Sequence, residues 1–144
     1  MRQTFTHKAV ARTATDQMWR RLQRPEPWGQ VSGVTRIDSA AFDEQGDLTG
    51  YRFTAPVAGI EQTGTASRST HIPGRRMVMN LESAQLGGTI GIDLEQSGVE
   101  TVVTVALTIE PKGIVTTMMF PAISAAVASR FNDIVEEFII SLES

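Results

Sequence analysis

Toward the end of the chain, apolar residues recur at spacings of three and four. Phe120, Ile123, Val127, Phe131, Ile134, Phe138 and Leu142 form the stripe of a helix packed along something larger. Buried, each is worth roughly 1.5–3 kcal/mol, more than helix propensity supplies through the β-branched positions, so tertiary packing must hold this helix. Ser124, Ser129, Arg130, Asp133, Glu136, Glu137 and Ser141 occupy the opposite face, which water takes, and Ala125, Ala126 and Ala128 allow close approach. Val135 and Ile139 flank the stripe as exposed positions that either extend the core or form a dimer seam. A proline suits a first helical turn and kinks an interior. Within the closing stretch Gly113–Ser144, the helix is therefore expected to start at or just before Pro121. From there to Leu142 it spans about 33 Å, enough to cross a small sheet.

The preceding chain alternates with a period of two. Gln3 to Val10 reads as a first strand, with Phe5, His7 and Ala9 on one side and His7 no more than a strand residue. Thr13, with Asp16 three residues on, resembles a capping box opening a short helix through Met18, Trp19 and Leu22. Arg24-Pro25-Glu26-Pro27 breaks that helix, and Trp28 sits in a second helical turn. A strand carrying Val34, Arg36, Asp38 and Ala40 on one face follows, then a turn at Asp43–Asp47 and a strand from Tyr51 to Val57. Pro56 and Gly59 separate it from a threonine- and serine-rich extended run, Ile60 to Ile72.

Pro73-Gly74 turns the chain into a strand alternating Met77, Met79 and Leu81 with Val78, Asn80 and Glu82. A loop of two or four residues puts Arg68, Thr70 and Ile72 on the face of Met77, and a loop of three reverses this. On that basis Arg68 is a candidate inward residue, and His71 is expected to be exposed beside the hairpin. Gly87-Gly88 begins a strand with Ile90, Ile92 and Leu94 inside, Ser97-Gly98 turns it, and Val103, Val105, Leu107 and Ile109 form the inner row of the last strand before Pro111.

Composition narrows the function. The chain has 144 residues, 41% of them hydrophobic and 20% charged, with no cysteine and a formal charge of −3. This is an ordinary globular composition for one domain, residues 1–144. Without cysteine there is no disulfide, thiolate metal site or cysteine nucleophile, which suits a cytoplasmic protein. No run of eighteen or more apolar residues and no signal-peptide core is apparent, so neither membrane insertion nor secretion is expected. The negative charge argues against nucleic acid as a partner, with Arg2, Lys8, Arg12, Arg20, Arg21 and Arg24 read as a solvated basic face.

One strand, two short helices, about six successive antiparallel strands and a long C-terminal helix form a specific order. With the Thr13–Leu22 helix, Pro25-Glu26-Pro27-Trp28, Gly33-Val34, the Pro73-Gly74-Arg75-Arg76 turn and the closing helix, the whole chain resembles the START-related, polyketide-cyclase/dehydrase-like superfamily, also called SRPBCC. The resemblance implies an α+β helix-grip fold, a curved antiparallel sheet of six to seven strands wrapped around the C-terminal helix. It also implies an apolar cavity between the two. Members bind lipids, sterols or polyketides, and some are cyclases or co-chaperone-like modules. No catalytic motif common to the superfamily transfers to this chain.

The candidate chemistry is sparse. Only His7 and His71 are available as histidine bases, and they offer no spaced ligand set for a metal. Gly87-Gly88 lacks the lysine and spacing of a phosphate loop, so no nucleotide cofactor is expected. The expected cavity is lined by Trp28, Phe53, Met77, Met79, Leu81, Ile92, Val105, Met118, Met119 and Ile123 and holds a small hydrophobic ligand in a monomer or homodimer. Alternatives are a cyclase- or dehydratase-like enzyme using Arg68 and Tyr51 for acid–base work, with Gln62 as a further polar candidate, and a protein-interaction or co-chaperone-like module using the sheet's outer threonine-rich face or the basic first helix through Arg20 and Arg21.

Overall fold

A computed structural model describes residues 1–57 and 59–143, with the side chain of Val57 outside the description; Ser144, the end of the expected closing stretch, is also outside it. Seven strands are built: β1 (Gln3–Ala11), β2 (Arg36–Phe42), β3 (Leu48–Val57), β4 (Ile60–Ile72), β5 (Arg76–Ser83), β6 (Leu86–Ser97) and β7 (Glu100–Pro111). Helices α1 (Thr15–Arg21) and α2 (Pro25–Ser32) follow β1, and α3 (Ile114–Glu143) closes the chain. The strands form one curved antiparallel sheet in the order β1-β7-β6-β5-β4-β3-β2. Short turns join neighbours from β2 to β7, and only β1 is brought from a distance to the free side of β7. This is the expected helix-grip α+β architecture.

The inner face is the row that the alternation marks. Met77, Met79, Ile90, Ile92, Val103 and Val105 are fully buried. On β1, Phe5, His7 and Ala9 lie opposite Leu107, Val105 and Val103. Phe120, Phe131, Phe138 and Leu142 of the α3 stripe are buried; Ile123 and Val127 are partly buried against the core. Val135 and Ile139 are buried too, so these two flanking positions extend the core and are not exposed.

Three expectations change. Helix α3 starts at Ile114, with Pro121 inside it. Its first turn is tied down by Thr116, whose hydroxyl donates to the carbonyl of Gln85 at 2.6 Å, and by Thr117, whose hydroxyl donates to that of Gly113 at 2.7 Å. Between Gly113 and Ser129 the chain has no charged residue, and Ile114 and Met118 on this first half are 82% and 78% exposed. Among the described residues α3 is the one helix long and apolar enough to cross a membrane, a property its sequence does not suggest by apolar run alone. Its second half is a packing element, with Phe131, Val135, Phe138, Ile139 and Leu142 buried.

The capping box does not form. Ala14 stands at the N-cap of α1 with no side-chain cap; the carbonyl of the buried Thr13 accepts the Thr101 hydroxyl at 2.7 Å instead. Helix α2 begins directly at Pro25, a first-turn position where the missing N–H costs nothing, and ends at Gly33, whose φ of 78° is the left-handed conformation glycine tolerates.

The β4–β5 register is the third change. Ile72 pairs with Arg76, so the loop holds three residues and His71 takes the place beside Met77. An irregularity between Arg68 and Thr70 then shifts the pairing and sets Arg68 opposite Met79. Both Arg68 and His71 are therefore on the inner face, at the end of the sheet nearest α1.

Candidate functional site

Two places on the inner face gather polar groups or open space. The first is a cluster between β4 and the β2–β3 turn. Asp43 shapes that turn, its Oδ1 accepting the amides of Gln45 and Asp47 at 3.0 and 2.9 Å, while Gly46 supplies a φ of 83°. Asp43 Oδ2 accepts Arg68 Nη1 at 3.2 Å, and the same nitrogen donates to the carbonyl of Leu48 at 3.2 Å. The Asp47 amide foremost, with help from the Arg68 guanidinium, lowers the Asp43 pKa below the ordinary carboxylate value. His71 stacks on Trp19 with ring centroids 5.6 Å apart. Its Nε2 lies 3.2 Å from Asp47 Oδ2 but out of line for a hydrogen bond. His71 is thus half-buried against α1, not exposed beside the hairpin.

Asp43, Asp47 and His71 bring three donor atoms within 4.8 Å of one another, the arrangement among the described residues that could hold a cation. Both Asp43 oxygens are already occupied and a guanidinium sits against one of them, so the group works as a turn and ion-pair cluster. Three basic residues of the N-terminal region are likewise engaged: Arg2 pairs with Glu110 at 3.4 Å, Arg20 with Asp16 at 3.7 Å, and Arg21 donates to the carbonyl of Leu142.

The second place is a cavity of about 520 Å³ between the sheet and the first half of α3. Phe53 and Ala55 of β3, Leu81 of β5, and Leu107 and Ile109 of β7 form its sheet side. Met119, Ala122, Ile123, Ala126 and Val127 form its helix side, and Val31 to Val34, at the end of α2, close one flank. The side chains α3 presents to the opening include the alanines 122 and 126, and Gly64 and Gly88 stand in the sheet where neighbours approach closely. A Cβ on Gly64 would meet the Phe53 ring, and one on Gly88 would overlap the Thr108 carbonyl.

Of the residues expected in the cavity, Phe53, Leu81, Met119 and Ile123 are on its wall. Trp28, Met77, Met79, Ile92 and Val105 are not; all five are fully buried in the packed core. Trp28 Nε1 donates to the carbonyl of Leu22 at 2.8 Å, which fixes the ring as the plug between α1 and α2. Met118 is 78% exposed and does not reach the wall. The polar wall groups are Ser32, Gln62, Ser83 and Arg130. Gln62 follows from the sequence, whereas the helical periodicity assigns Arg130 to the solvent face. The alanines at 122 and 126 and Arg130 at a further step of four mark one edge of α3, a spacing that flags them as neighbours on the same helix face.

Tyr51 and Arg68, the acid–base candidates, do not come together on this wall. Arg68 is held by Asp43 and Leu48. Tyr51 is 4% exposed, packed at 6.1 Å from the Phe53 ring, and its hydroxyl has no hydrogen-bond partner among the described residues. Burial pushes its pKa well above the ordinary phenol value, and the nearby Ser32 hydroxyl, outside hydrogen-bond geometry, offsets this only in part. The Ser32 hydroxyl itself donates to the carbonyl of Trp28 at 2.6 Å.

No family model and no curated protein matches the chain. Solved structures do. A START superfamily protein from Mycobacterium smegmatis superposes with a TM-score of 0.71 at 11% identity, covering 96% of this chain and 98% of the other. A protein from Thermus thermophilus gives 0.69 at 11% identity over 99% and 100%. The Zhui aromatase/cyclase from Streptomyces sp. R1128 gives 0.60 at 13% identity over 96% and 94%. At these identities the likeness establishes the START-type helix-grip fold.

Proposed function

We propose that the chain, acting as one START-like domain, binds a small hydrophobic ligand of lipid, polyketide or aromatic type between the sheet and α3. The observation that carries this reading is the cavity of about 520 Å³ with a predominantly apolar wall, within the range of pockets that enclose drug-sized ligands. Burying an apolar surface there contributes roughly 25 cal/mol per Å², and the wall offers few polar groups that a ligand would have to desolvate. Acid–base catalysis has less support. Among the described wall residues no histidine, aspartate or glutamate is present, and Arg68 and Tyr51 are engaged or sealed elsewhere. The absence of cysteine favours the cytoplasm as the compartment.

The test is to fill the cavity. Ala55 is half-buried on the wall of β3, and Ala55→Trp sets an indole into the space the ligand would occupy. Native mass spectrometry of the purified protein, followed by organic extraction and titration with a hydrophobic fluorophore, should give one adduct per chain in the wild type and none in Ala55→Trp. Undiminished binding by the folded variant would remove the cavity as the site.

A further inference from the structure

We infer that the ligand of this cavity is an amphipathic acid, its apolar body enclosed between sheet and α3 and its carboxylate held at the rim by Arg130. The inference rests on the cavity reading above and adds the chemical class of the ligand's head group.

Arg130 is the single charged residue among the described wall residues. It is exposed while also lining the cavity, which places it where the wall meets solvent. The residues around it on α3, Ala126, Val127, Phe131 and Ile134, line the same wall and carry no polar side-chain atom. A guanidinium on a helix surface ordinarily finds a carboxylate three or four positions away. Here position 126 is alanine and position 134 isoleucine, and Asp133 lies outside ion-pair distance, since no ion pair within 4.0 Å among the described residues involves Arg130. Three cations near the sheet are engaged, Arg68 with Asp43, Arg76 with Asp93 at 2.5 Å, and Lys112 with Glu82 at 2.6 Å, and Lys8, Arg52 and Arg75 are not on the cavity wall.

The remaining polar wall groups differ from it. Ser32 and Ser83 spend their hydroxyls on the carbonyls of Trp28 and Leu86 at 2.6 and 2.9 Å. Gln62 is a neutral second contact for a ligand. The wall therefore presents one uncommitted cation, no competing anion and an apolar interior. A wholly apolar ligand leaves the guanidinium in water and gains nothing from it. A carboxylate at the rim pairs with its fork of donors in a partly desolvated setting, where charge-assisted bonds are roughly twice as strong as neutral ones.

Isothermal titration of the full chain with decanoate and with decan-1-ol at neutral pH tests this, because the two share an apolar tail and differ in the head. Wild type should favour the acid by about tenfold, as expected for one charge-assisted pair, and the preference should shrink as salt is raised. Arg130→Met keeps an unbranched apolar stem and should bring the acid-to-alcohol ratio to about one, while Arg130→Lys should retain part of the preference because it keeps the charge without the fork. Equal binding of acid and alcohol by the wild type, or a preference that survives Arg130→Met, overturns the carboxylate assignment and leaves the cavity standing. Binding of neither probe removes the cavity reading, and this inference falls with it.

Discussion

At the scale of single residues, Tyr51 shows how a buried polar atom is read once its surroundings are known. Its hydroxyl is sealed from solvent without a partner among the described residues, so the protein bears the desolvation cost of that group. Tyr51→Phe removes the atom and leaves the ring against Phe53, and its expected effect lies between neutral and a gain of about 1 kcal/mol. The same burial raises the folded-state pKa. Between the unfolded value near 10 and the raised folded value, the folded chain holds a proton that the unfolded chain has lost, so stability present below about pH 10 declines as pH rises. Thermal melts taken from neutral to alkaline pH should show this decline in the wild type and a weaker one in Tyr51→Phe; identical alkaline slopes would mean that the phenol titrates alike in both states. The sequence marks Tyr51 and Arg68 as inward polar residues and stops there. That Arg68 faces inward depends on a three-residue loop and one register irregularity that together restore a face the loop alone reverses, and nothing in the alternation of threonines and serines along β4 announces that shift.

At the scale of elements, the strands are legible because most of them carry a period of two, and α3 because its apolar positions repeat at three and four. Its start is not, since a proline at the first turn and a proline inside a helix leave the same mark on a sequence. The structure resolves this through tertiary contacts: Thr116 reaches Gln85 on the β5–β6 turn, and this docking holds a turn ahead of Pro121 that propensity would not. Glycines within a strand are less legible. Gly87-Gly88 opens β6, as the alternation indicates, but that Gly88 is required by close approach shows only in the structure. An added Cβ there would overlap the Thr108 carbonyl, while one on Gly91 of the same strand would meet Val78 Cγ2 at 3.4 Å, an ordinary contact. Gly88→Ala should therefore cost about 1–3 kcal/mol as an overpacked site. Gly91→Ala should cost little or stabilise, since a strand glycine loses more freedom on folding than alanine does. Urea melts of the two variants separate the readings, and equal midpoints would show that the backbone at Gly88 yields without cost.

At the scale of the molecule, the cavity is a consequence of α3 having two unlike halves. From Phe131 onward it is locked, with Phe131, Val135, Phe138 and Leu142 buried and Glu136 Oε1 hydrogen-bonded to His7 Nε2 at 2.8 Å across to β1. From Ile114 to Val127 it is uncharged, fully buries only Thr116 and Phe120, and stands over open space. The sequence shows the stripe running evenly through both halves. It does not show that the first half stands over open space, which is why the alternation places core residues such as Met77 and Ile92 on the wall and leaves Arg130 off it. Helix hydrogen bonds covered by few apolar contacts open at lower free energy than those of a packed core. Amide hydrogen exchange should accordingly be faster from Met118 to Val127 than from Ile134 to Leu142. Saturating ligand should slow the first segment most, because that segment forms most of the helix side of the cavity, while from Val135 onward exchange should change no more than the global stabilisation that binding confers. Uniform exchange along α3 in the free protein would indicate that the helix opens as one unit, with the cavity too small a perturbation to divide it.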